Sequence, residues 1–295
     1  MQFQTIRLAL LSVVVLCTSS MEVAAQGRIL RKHMMLETVP LKLLPATNKL
    51  ARGSASIKFS GRYRKITSNG IPTHRVGAFP NTHNPHKVKP QPHKFLVAYI
   101  PRPASKPKPL PMGTSMGVAL NGIPIDPMAA EYYNGQRNGW QYNALGGAIP
   151  LGLDANYAHV QPTGAYHYHG LPVGLMQELG WRVSEPSPLI GYAADGFPIY
   201  ALTAIIDGRV KEMRSSYRLK SDDRPGGRDP SGPHDGTFIN DYRYVEGAGD
   251  LDSCNGARVT TADYPKEIYA YFLTSEFPVV PRCLIGKIGK GFKKR

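Results

Sequence analysis

Short runs of β-branched and aromatic residues, separated by turn signals, follow one another along the chain from residue 55 onward. Runs of this length and composition are typical of β-strands, and seven of them are predicted as strands: Ser56–Phe59, Lys94–Ile100, Gly117–Leu120, Leu189–Ala193, Pro198–Ile206, Tyr242–Val245 and Lys266–Leu273. Asn-Gly and Asp-Gly pairs favour tight turns, and they punctuate the runs at Asn69-Gly70, Asn121-Gly122, Asp195-Gly196, Asp207-Gly208, Asp235-Gly236 and Asn255-Gly256. The pattern predicts a mainly β fold: a single β-rich domain over residues 55–286, built as a sandwich or an irregular barrel.

One short segment has the pattern of a helix. Leu171–Leu179 is followed by Gly180, the residue type that is common just past a helix C-terminus. Ten prolines between Pro72 and Pro111 exclude a helix from that stretch and predict extended chain. We therefore expect one or two short helices, and long proline-rich loops around the strands.

The first 25 residues are predicted to be a secretory signal peptide. Arg7 precedes an apolar run over Leu8–Cys17, and small residues lead up to Ala25, which is the order of features in such peptides. The run is too short to span a bilayer, and no later stretch is long and apolar enough to do so. We expect an exported protein, periplasmic or extracellular, with no transmembrane segment and a mature chain that begins near Gln26.

Two cysteines remain after the predicted cleavage, Cys254 and Cys283. An even number of cysteines is typical of an oxidising compartment. Either the two form a disulfide, or they contribute two ligands to a metal site. The short C-x-x-C spacing of many metal sites is absent, and we prefer the disulfide.

Positive charge is concentrated in the first half of the mature chain and at its end. The net charge is +15, and residues 26–125 carry seventeen Lys or Arg against one acidic residue. A basic leader is predicted over residues 26–54 and a basic tail over residues 287–295. Such segments are either a solvated surface with a disordered tail or an adhesion surface for an anionic polymer or the cell envelope. The chain has no nucleic-acid-binding motif, so specific recognition of nucleic acid is not expected.

The segment AHVQPTGAYHYHG, which begins at residue 158, is the densest group of histidines. Pro162 and Gly164 suit a three-residue hairpin loop, with Gly164 in the left-handed position. Closing the loop there places His159 opposite His167. His169 shares their face, because side chains alternate along a strand with a period of two. A two-residue loop would instead turn His159 to the opposite face.

Three convergent imidazoles predict a site for a Zn or Cu ion, because neutral histidine nitrogens suit both metals. His74 is a candidate fourth ligand, and Asp154 and Asp195 are candidates for a ligand, a partner that orients an imidazole, or a general base. Two other interpretations are a structural polar network and a face that binds carbohydrate or another ligand. On the residues alone, the preferred interpretation of His74 is a surface-loop residue, and that of Asp195, directly before a glycine, is a turn cap.

The motifs of several enzyme classes are absent: G-x-S-x-G, H-E-x-x-H, C-x-x-C and a phosphate-binding glycine loop. Whether the protein is an enzyme stays open, and metal-assisted hydrolysis or copper oxidation would suit an open metal site. The leading hypothesis is a metal-binding protein of unnamed reaction. The alternatives are a non-catalytic binding protein for polysaccharide or a polyanionic surface, and a structural matrix protein.

The stretch LGLDANYAHVQPTGAYHYHGLPVGL resembles the YHYH-domain family, named for the tetrapeptide at residues 166–169, in its exported bacterial form. Further segments resemble the family in the same order: SNGIPTH (Ser68–His74), NPH at Asn84, ALNGIPIDP (Ala119–Pro127), Trp140, IGYAADGFPIY (Ile190–Tyr200), LDSCNG (Leu251–Gly256) and FPVVPRCLIG (Phe277–Gly286). The resemblance covers residues 55–286. It implies that Cys254 and Cys283 belong to the family framework, which supports the disulfide. It also implies that all six candidate positions belong to the motifs of the family: His74, Asp154, His159, His167, His169 and Asp195. It implies no particular activity.

Overall fold

The computed structural model describes residues 50–137 and 139–294. The predicted signal peptide over residues 1–25 lies outside the described residues, as does the predicted leader up to residue 49. Among the helices of the described part of the chain, none combines the length and the apolar character that a membrane span requires.

Most regular structure in the described residues is β. The strands, in chain order, are β1 (Ala55–Ser60), β2 (Tyr63–Ser68), β3 (His93–Ala98), β4 (Pro103–Pro109), β5 (Gly117–Ala119), β6 (Pro124–Ile125), β7 (Ala158–Val160), β8 (Tyr166–Tyr168), β9 (Gly191–Ala193), β10 (Pro198–Ala201), β11 (Thr203–Ile206), β12 (Arg209–Glu212), β13 (Tyr217–Leu219), β14 (Tyr242–Tyr244), β15 (Gly256–Val259), β16 (Ile268–Leu273) and β17 (Cys283–Gly286). The single α-helix of the described residues, α1, spans Val173–Glu178, and two short 3-10 turns lie at Tyr133–Gly135 and Ile239–Asp241. The mainly β prediction is confirmed.

An eight-stranded sheet forms the centre of the fold, in the order β15-β16-β10-β9-β5-β6-β8-β7. Its strands are antiparallel except at two places, where β10 lies parallel to β16 and β6 lies parallel to β8. A three-stranded sheet, β1-β2-β3, and three two-stranded pairs, β11-β12, β13-β14 and β17-β4, surround it. The described strands form several sheets and close no barrel. The β7–β8 hairpin lies at one edge of the central sheet.

The turn and strand predictions agree with this architecture. Each of the seven predicted runs contains a strand, and the long run Pro198–Ile206 is divided into β10 and β11 at Leu202, which has a φ of +65°. The Asp207-Gly208 pair makes the hairpin turn between β11 and β12, with both residues at positive φ. The predicted helix is confirmed over Val173–Glu178, and Gly180 follows it with a φ of +75°.

The proline-rich stretch contains a strand that the sequence did not predict. β4 is exposed along its whole length and pairs with β17, the strand that begins at Cys283. Proline donates no backbone hydrogen bond, so it is tolerated only where one side of a strand needs no partner, as at an edge. The two-stranded β4–β17 pair meets that condition.

The main hydrophobic core lies between β3, α1 and the central sheet. Tyr166, Tyr168, Tyr271, Phe79 and Ile125 are fully buried in it. Cys254 is also part of this core, and it forms a disulfide with Cys283. The preferred pairing is therefore confirmed. The closed loop of 29 residues corresponds to about 3–4 kcal/mol of stabilisation on the chain-entropy model.

Residues 287–294, which we call the C-terminal strap, pack against the domain. Lys290 and Leu96 exchange two backbone hydrogen bonds of 3.0 and 2.9 Å, and the amide of Ser115 donates to the carbonyl of Phe292 at 2.9 Å. The Phe292 ring is buried and lies 4.9 Å from the ring of Phe95. These contacts hold the strap beside β3, so the last residues of the strap have fixed positions.

Candidate metal centre

The β7–β8 hairpin has the register that its loop residues predict. His159 pairs with His167, and the amide of Gln161 donates to the carbonyl of Ala165 at 3.0 Å to close the loop. Gly164 adopts a φ of +91°, and its amide donates to the carbonyl of Gln161. The three-residue loop is therefore confirmed. It places both histidines on one face of the hairpin.

His169 completes a compact group of three imidazoles. The ring centroids of His159, His167 and His169 lie 4.7 Å apart in each of the three pairs. One ring nitrogen from each residue lies within 4.8 Å of the others, and the Nε2 atoms of His159 and His169 are 3.1 Å apart. Nitrogens that share a tetrahedral ion at a bond length of about 2.0–2.1 Å lie about 3.4 Å from each other. The Nε2 atoms of His159 and His169 are therefore close to the spacing that one ion requires, and one ring nitrogen of His167 lies within 4.8 Å of a ring nitrogen of each.

On the outer side of the group, the Nδ1 atoms of two imidazoles bond to backbone carbonyls, and the inner Nε2 atoms of His159 and His169 lie within hydrogen-bond distance of each other. Nδ1 of His159 donates to the carbonyl of Leu151 at 2.9 Å, and Nδ1 of His167 donates to the carbonyl of Ala165 at 3.3 Å. Nε2 of His167 is buried and has no hydrogen-bond partner among the described residues. An unpaired buried polar atom costs about 1–3 kcal/mol. A bound ion would give that nitrogen the partner it lacks.

Burial holds the three imidazoles in the neutral form. Desolvation is the largest cause that lowers the pKa of His159, and it lowers the pKa of His167 and His169 well below the ordinary value of 6.5. The positive charge of Lys294 lowers all three values further. Since metal ions bind deprotonated imidazole, the group is ready to ligate at neutral pH.

A cavity of about 480 Å³ opens onto the imidazoles. Asp126 and Lys294 belong to its wall, and they are paired through Oδ2 and Nζ. The Asp126 side chain is 2 % exposed, and its Oδ1 also accepts a 3.0 Å hydrogen bond from the amide of Met128. The lining of the cavity includes two further histidines, the exposed His83 and the half-buried His86. The three imidazoles thus have one side open to a space that admits a small ligand.

His74 lies on the other face of the hairpin. Its Nδ1 donates to the carbonyl of Arg75 at 2.8 Å, and its Nε2 lies 2.5 Å from Oη of Tyr168, whose hydroxyl donates to it. Both ring nitrogens are therefore occupied within the core, where burial lowers the pKa of His74. The structure does not bring His74 into the group of three imidazoles.

The two candidate carboxylates are also occupied elsewhere. Oδ2 of Asp154 accepts from the amide of Gly77 at 3.0 Å and from the hydroxyl of Tyr166 at 2.7 Å. Oδ2 of Asp195 accepts from the hydroxyl of Tyr271 at 2.7 Å and from the amide of Gly286 at 2.8 Å. Burial is the main cause that raises the pKa of Asp195. Both carboxylates link segments that are distant in the sequence through hydrogen bonds, and neither is part of the imidazole group.

Two residues at the cavity were not singled out in the sequence, Asp126 and Lys294. Asp126 directly follows β6, and its amide donates to the carbonyl of Tyr168 at 2.8 Å, which places it beside the hairpin. The segment ALNGIPIDP, which ends one residue later, was itself a signal, since it belongs to the family resemblance. Lys294 arrives from the C-terminal strap, and the sequence shows it only as one of several basic residues.

These features define a class: a mainly β protein with three convergent imidazoles, two buried and one half-buried, that line an open cavity. The chain belongs to the YHYH family, since the family model described as YHYH protein matches residues 94–286. The predicted resemblance is therefore confirmed. Neither the curated proteins nor the solved structures contain a match to this chain.

Proposed function

We propose that the protein is an exported metalloprotein that binds one Zn²⁺ or Cu²⁺ ion through His159, His167 and His169. The observation that carries the proposal is the buried Nε2 of His167, which has no partner among the described residues and belongs to a ring whose centroid lies 4.7 Å from those of the two other imidazoles. Buried polar atoms in folded proteins are nearly always paired. An ion at the centre of the group would give one nitrogen of each of the three rings a partner at once.

The donor set indicates which ions suit the site. Three imidazoles with an open fourth position are a ligand set of catalytic zinc sites, and imidazole is equally a ligand of copper. The cavity supplies the open side. A metal there supports Lewis-acid hydrolysis or, for copper, oxidation. Both reactions use the same position, so the metal's identity decides between them.

Export is supported by two features. The first 25 residues have the order of charge, apolar run and small residues of a signal peptide. The Cys254–Cys283 disulfide requires an oxidising environment to persist. We therefore assign the protein to the periplasm or the extracellular space.

Metal analysis of untagged protein tests the metal proposal. We expect about one ion per chain in wild type after loading with Zn²⁺ or Cu²⁺ and dialysis, and none in the variant His167→Ala/His169→Ala. The matched control, His83→Ala/His86→Ala, removes two histidines that line the same cavity outside the imidazole group, and it should retain the ion. Wild-type protein with no stoichiometric metal, and no gain in thermal stability from either ion, would refute the proposal.

A second proposal concerns the basic surface, and it is supported by the exposure of lysines on neighbouring elements. β4 is exposed along its length and carries Lys106 and Lys108. Lys287 and Lys290 of the strap, which follows directly after β17, the partner strand of β4, are exposed as well. Clustered cations favour adhesion to an anionic polymer of the cell envelope. Binding to immobilised heparin, used as a model polyanion, should weaken with salt and in Lys106→Gln/Lys108→Gln, and should survive loss of the histidines. Binding that depends on neither salt nor these lysines would exclude this role.

A further inference from the structure

The C-terminal strap places the positive charge of Lys294 in the wall of the cavity that the three histidines line. Nζ of Lys294 pairs with Oδ2 of Asp126, and both residues line the cavity with the three histidines. The Asp126 carboxylate is 2 % exposed, whereas the Lys294 side chain is 30 % exposed. The carboxylate is therefore enclosed, and the ammonium retains a face towards the open space.

The position of Lys294 is determined by the backbone of the strap. Its amide donates to the carbonyl of Gly113 at 2.7 Å, and the buried ring of Phe292 holds the strap two residues earlier. An exposed lysine on a free tail would sample many positions. Here the two anchors and the Asp126 pair hold the ammonium beside the imidazoles.

The charges around the site do not balance once an ion is bound. Three neutral imidazoles contribute no negative charge, so a divalent ion on them keeps its full charge. The carboxylate of Asp126 is already matched by Lys294, and two further charged residues of the cavity, Glu131 and Arg137, have opposite signs. The loaded site therefore has an excess of positive charge facing an open cavity.

An ammonium has three N–H donors, and the pair with one Asp126 oxygen uses one of them. The remaining donors are available to a ligand in the cavity. We infer that Lys294 makes this cavity a binding site for an oxyanion, a carboxylate or phosphate group, which the metal and the ammonium hold together. The inference rests on the proposed metal site and assigns its ligand class. Lys294 is then the residue that sets ligand specificity.

Anion titration of the copper-loaded protein tests this role. Azide, which gives a charge-transfer absorption on Cu²⁺, is bound first, and acetate or inorganic phosphate is then titrated to displace it. We expect Lys294→Met to weaken acetate and phosphate binding by about tenfold or more, the range of a lost charged hydrogen bond. Copper content should stay at about one ion per chain. Lys294→Arg should retain most of the affinity.

Lys293→Met is the matched control, since it removes the same charge from the neighbouring, exposed residue of the strap. Its anion affinity should equal that of wild type. If Lys294→Met does not fold because it leaves Asp126 buried and unpaired, Asp126→Asn/Lys294→Met removes both charges, and the same loss is expected.

The outcomes separate the two proposals. Anion affinity that is unchanged without Lys294, or reduced equally by Lys293→Met, overturns the role of Lys294 and leaves the metal site standing. Wild-type protein that takes up no copper or zinc overturns both.

Discussion

The two faces of the β7–β8 hairpin differ in how their buried polar groups are satisfied. On one face, the hydroxyls of Tyr166 and Tyr168 are hydrogen-bonded to Asp154 and His74. On the other face, Nε2 of His167 has no partner among the described residues. Both faces belong to the same hairpin backbone, and Tyr166, Tyr168 and His167 are all buried. The tyrosine face therefore stabilises the fold, and the histidine face is arranged for a ligand.

His74 and His167 show the same difference between the two faces in a single residue type. His74 and His167 are both buried, 8 % and 3 % exposed, and burial lowers the pKa of each. His74 has a carbonyl and a hydroxyl on its two nitrogens. His167 has a carbonyl on one nitrogen and nothing on the other. A buried histidine thus indicates a site only when its second nitrogen is left free.

The largest effect is expected on the tyrosine face, from Asp154→Ala. The carboxylate accepts hydrogen bonds from Tyr166 and from the amides of Gly77, Asn156 and Ala158. Its removal leaves several buried donors unpaired. We expect the free energy of unfolding of metal-free protein to fall by about 4 kcal/mol in urea denaturation. Asp154→Asn, which keeps one acceptor, should lose less. A loss under about 1 kcal/mol would mean that this face is not a stabilising network.

The next largest effect concerns the histidine face and requires metal. An ion at a concentration of 100 times its Kd should stabilise wild type by about 2.7 kcal/mol. His167→Gln should abolish this gain. The same variant without metal should stay within about 1 kcal/mol of wild type, because Nε2 of His167 has no protein partner to lose. Thermal unfolding with and without Zn²⁺ measures both. A large loss in the metal-free variant would contradict the difference between the two faces.

Tyr168→Phe should produce a smaller loss, about 1–2 kcal/mol. The Tyr168 hydroxyl donates to His74 at 2.5 Å and accepts from Nδ2 of Asn121 at 2.9 Å, so its removal leaves two buried groups without that partner. Metal uptake should be unchanged. Tyr63→Phe, at a residue that is 43 % exposed, is the control and should have no measurable effect. Loss of metal from Tyr168→Phe would show that the two faces are coupled.

The smallest effect is the pH dependence of metal-free protein between pH 7.5 and 6.5. Because burial lowers the pKa of His167 and His169 in the folded state, the unfolded state binds more protons as the pH falls towards 6.5. The stabilisation is present in full well above that value, starts to be lost within this window, and continues to fall below pH 6.5 towards the lowered folded-state pKa. Urea denaturation should therefore show a steeper loss in wild type than in His167→Ala/His169→Ala. Equal slopes would indicate that the two imidazoles are not held neutral.

Local sequence signals predicted the hairpin well. Pro162 and Gly164 specify a three-residue loop, and the loop alone fixes which histidine faces which. The turn glycines and the short helix followed by Gly180 were predicted for the same reason, since each depends on a few neighbouring residues. β4 was missed because its prolines disfavour a strand, and its pairing with β17 depends on residues about 180 positions away.

The parts of the site that the sequence did not predict depend on how distant strands pair in the fold. Asp126 reaches the histidines because β6 lies parallel to β8, and Lys294 reaches them because the strap pairs with β3. The residues next to Asp126 and Lys294 in the sequence do not predict either contact. The family motif grouped His74 with the three histidines of the site. Only the fold shows that His74 lies on the opposite face of the hairpin.

X-ray absorption at the metal edge of Zn²⁺- or Cu²⁺-loaded protein tests the three-imidazole site, since it counts the ligands of the bound ion. We predict one ion with three imidazole nitrogens at about 2.0–2.1 Å, and fewer imidazoles in His169→Ala but not in His74→Ala. An ion with sulfur ligands, or with an unchanged imidazole count after the loss of His169, would contradict it.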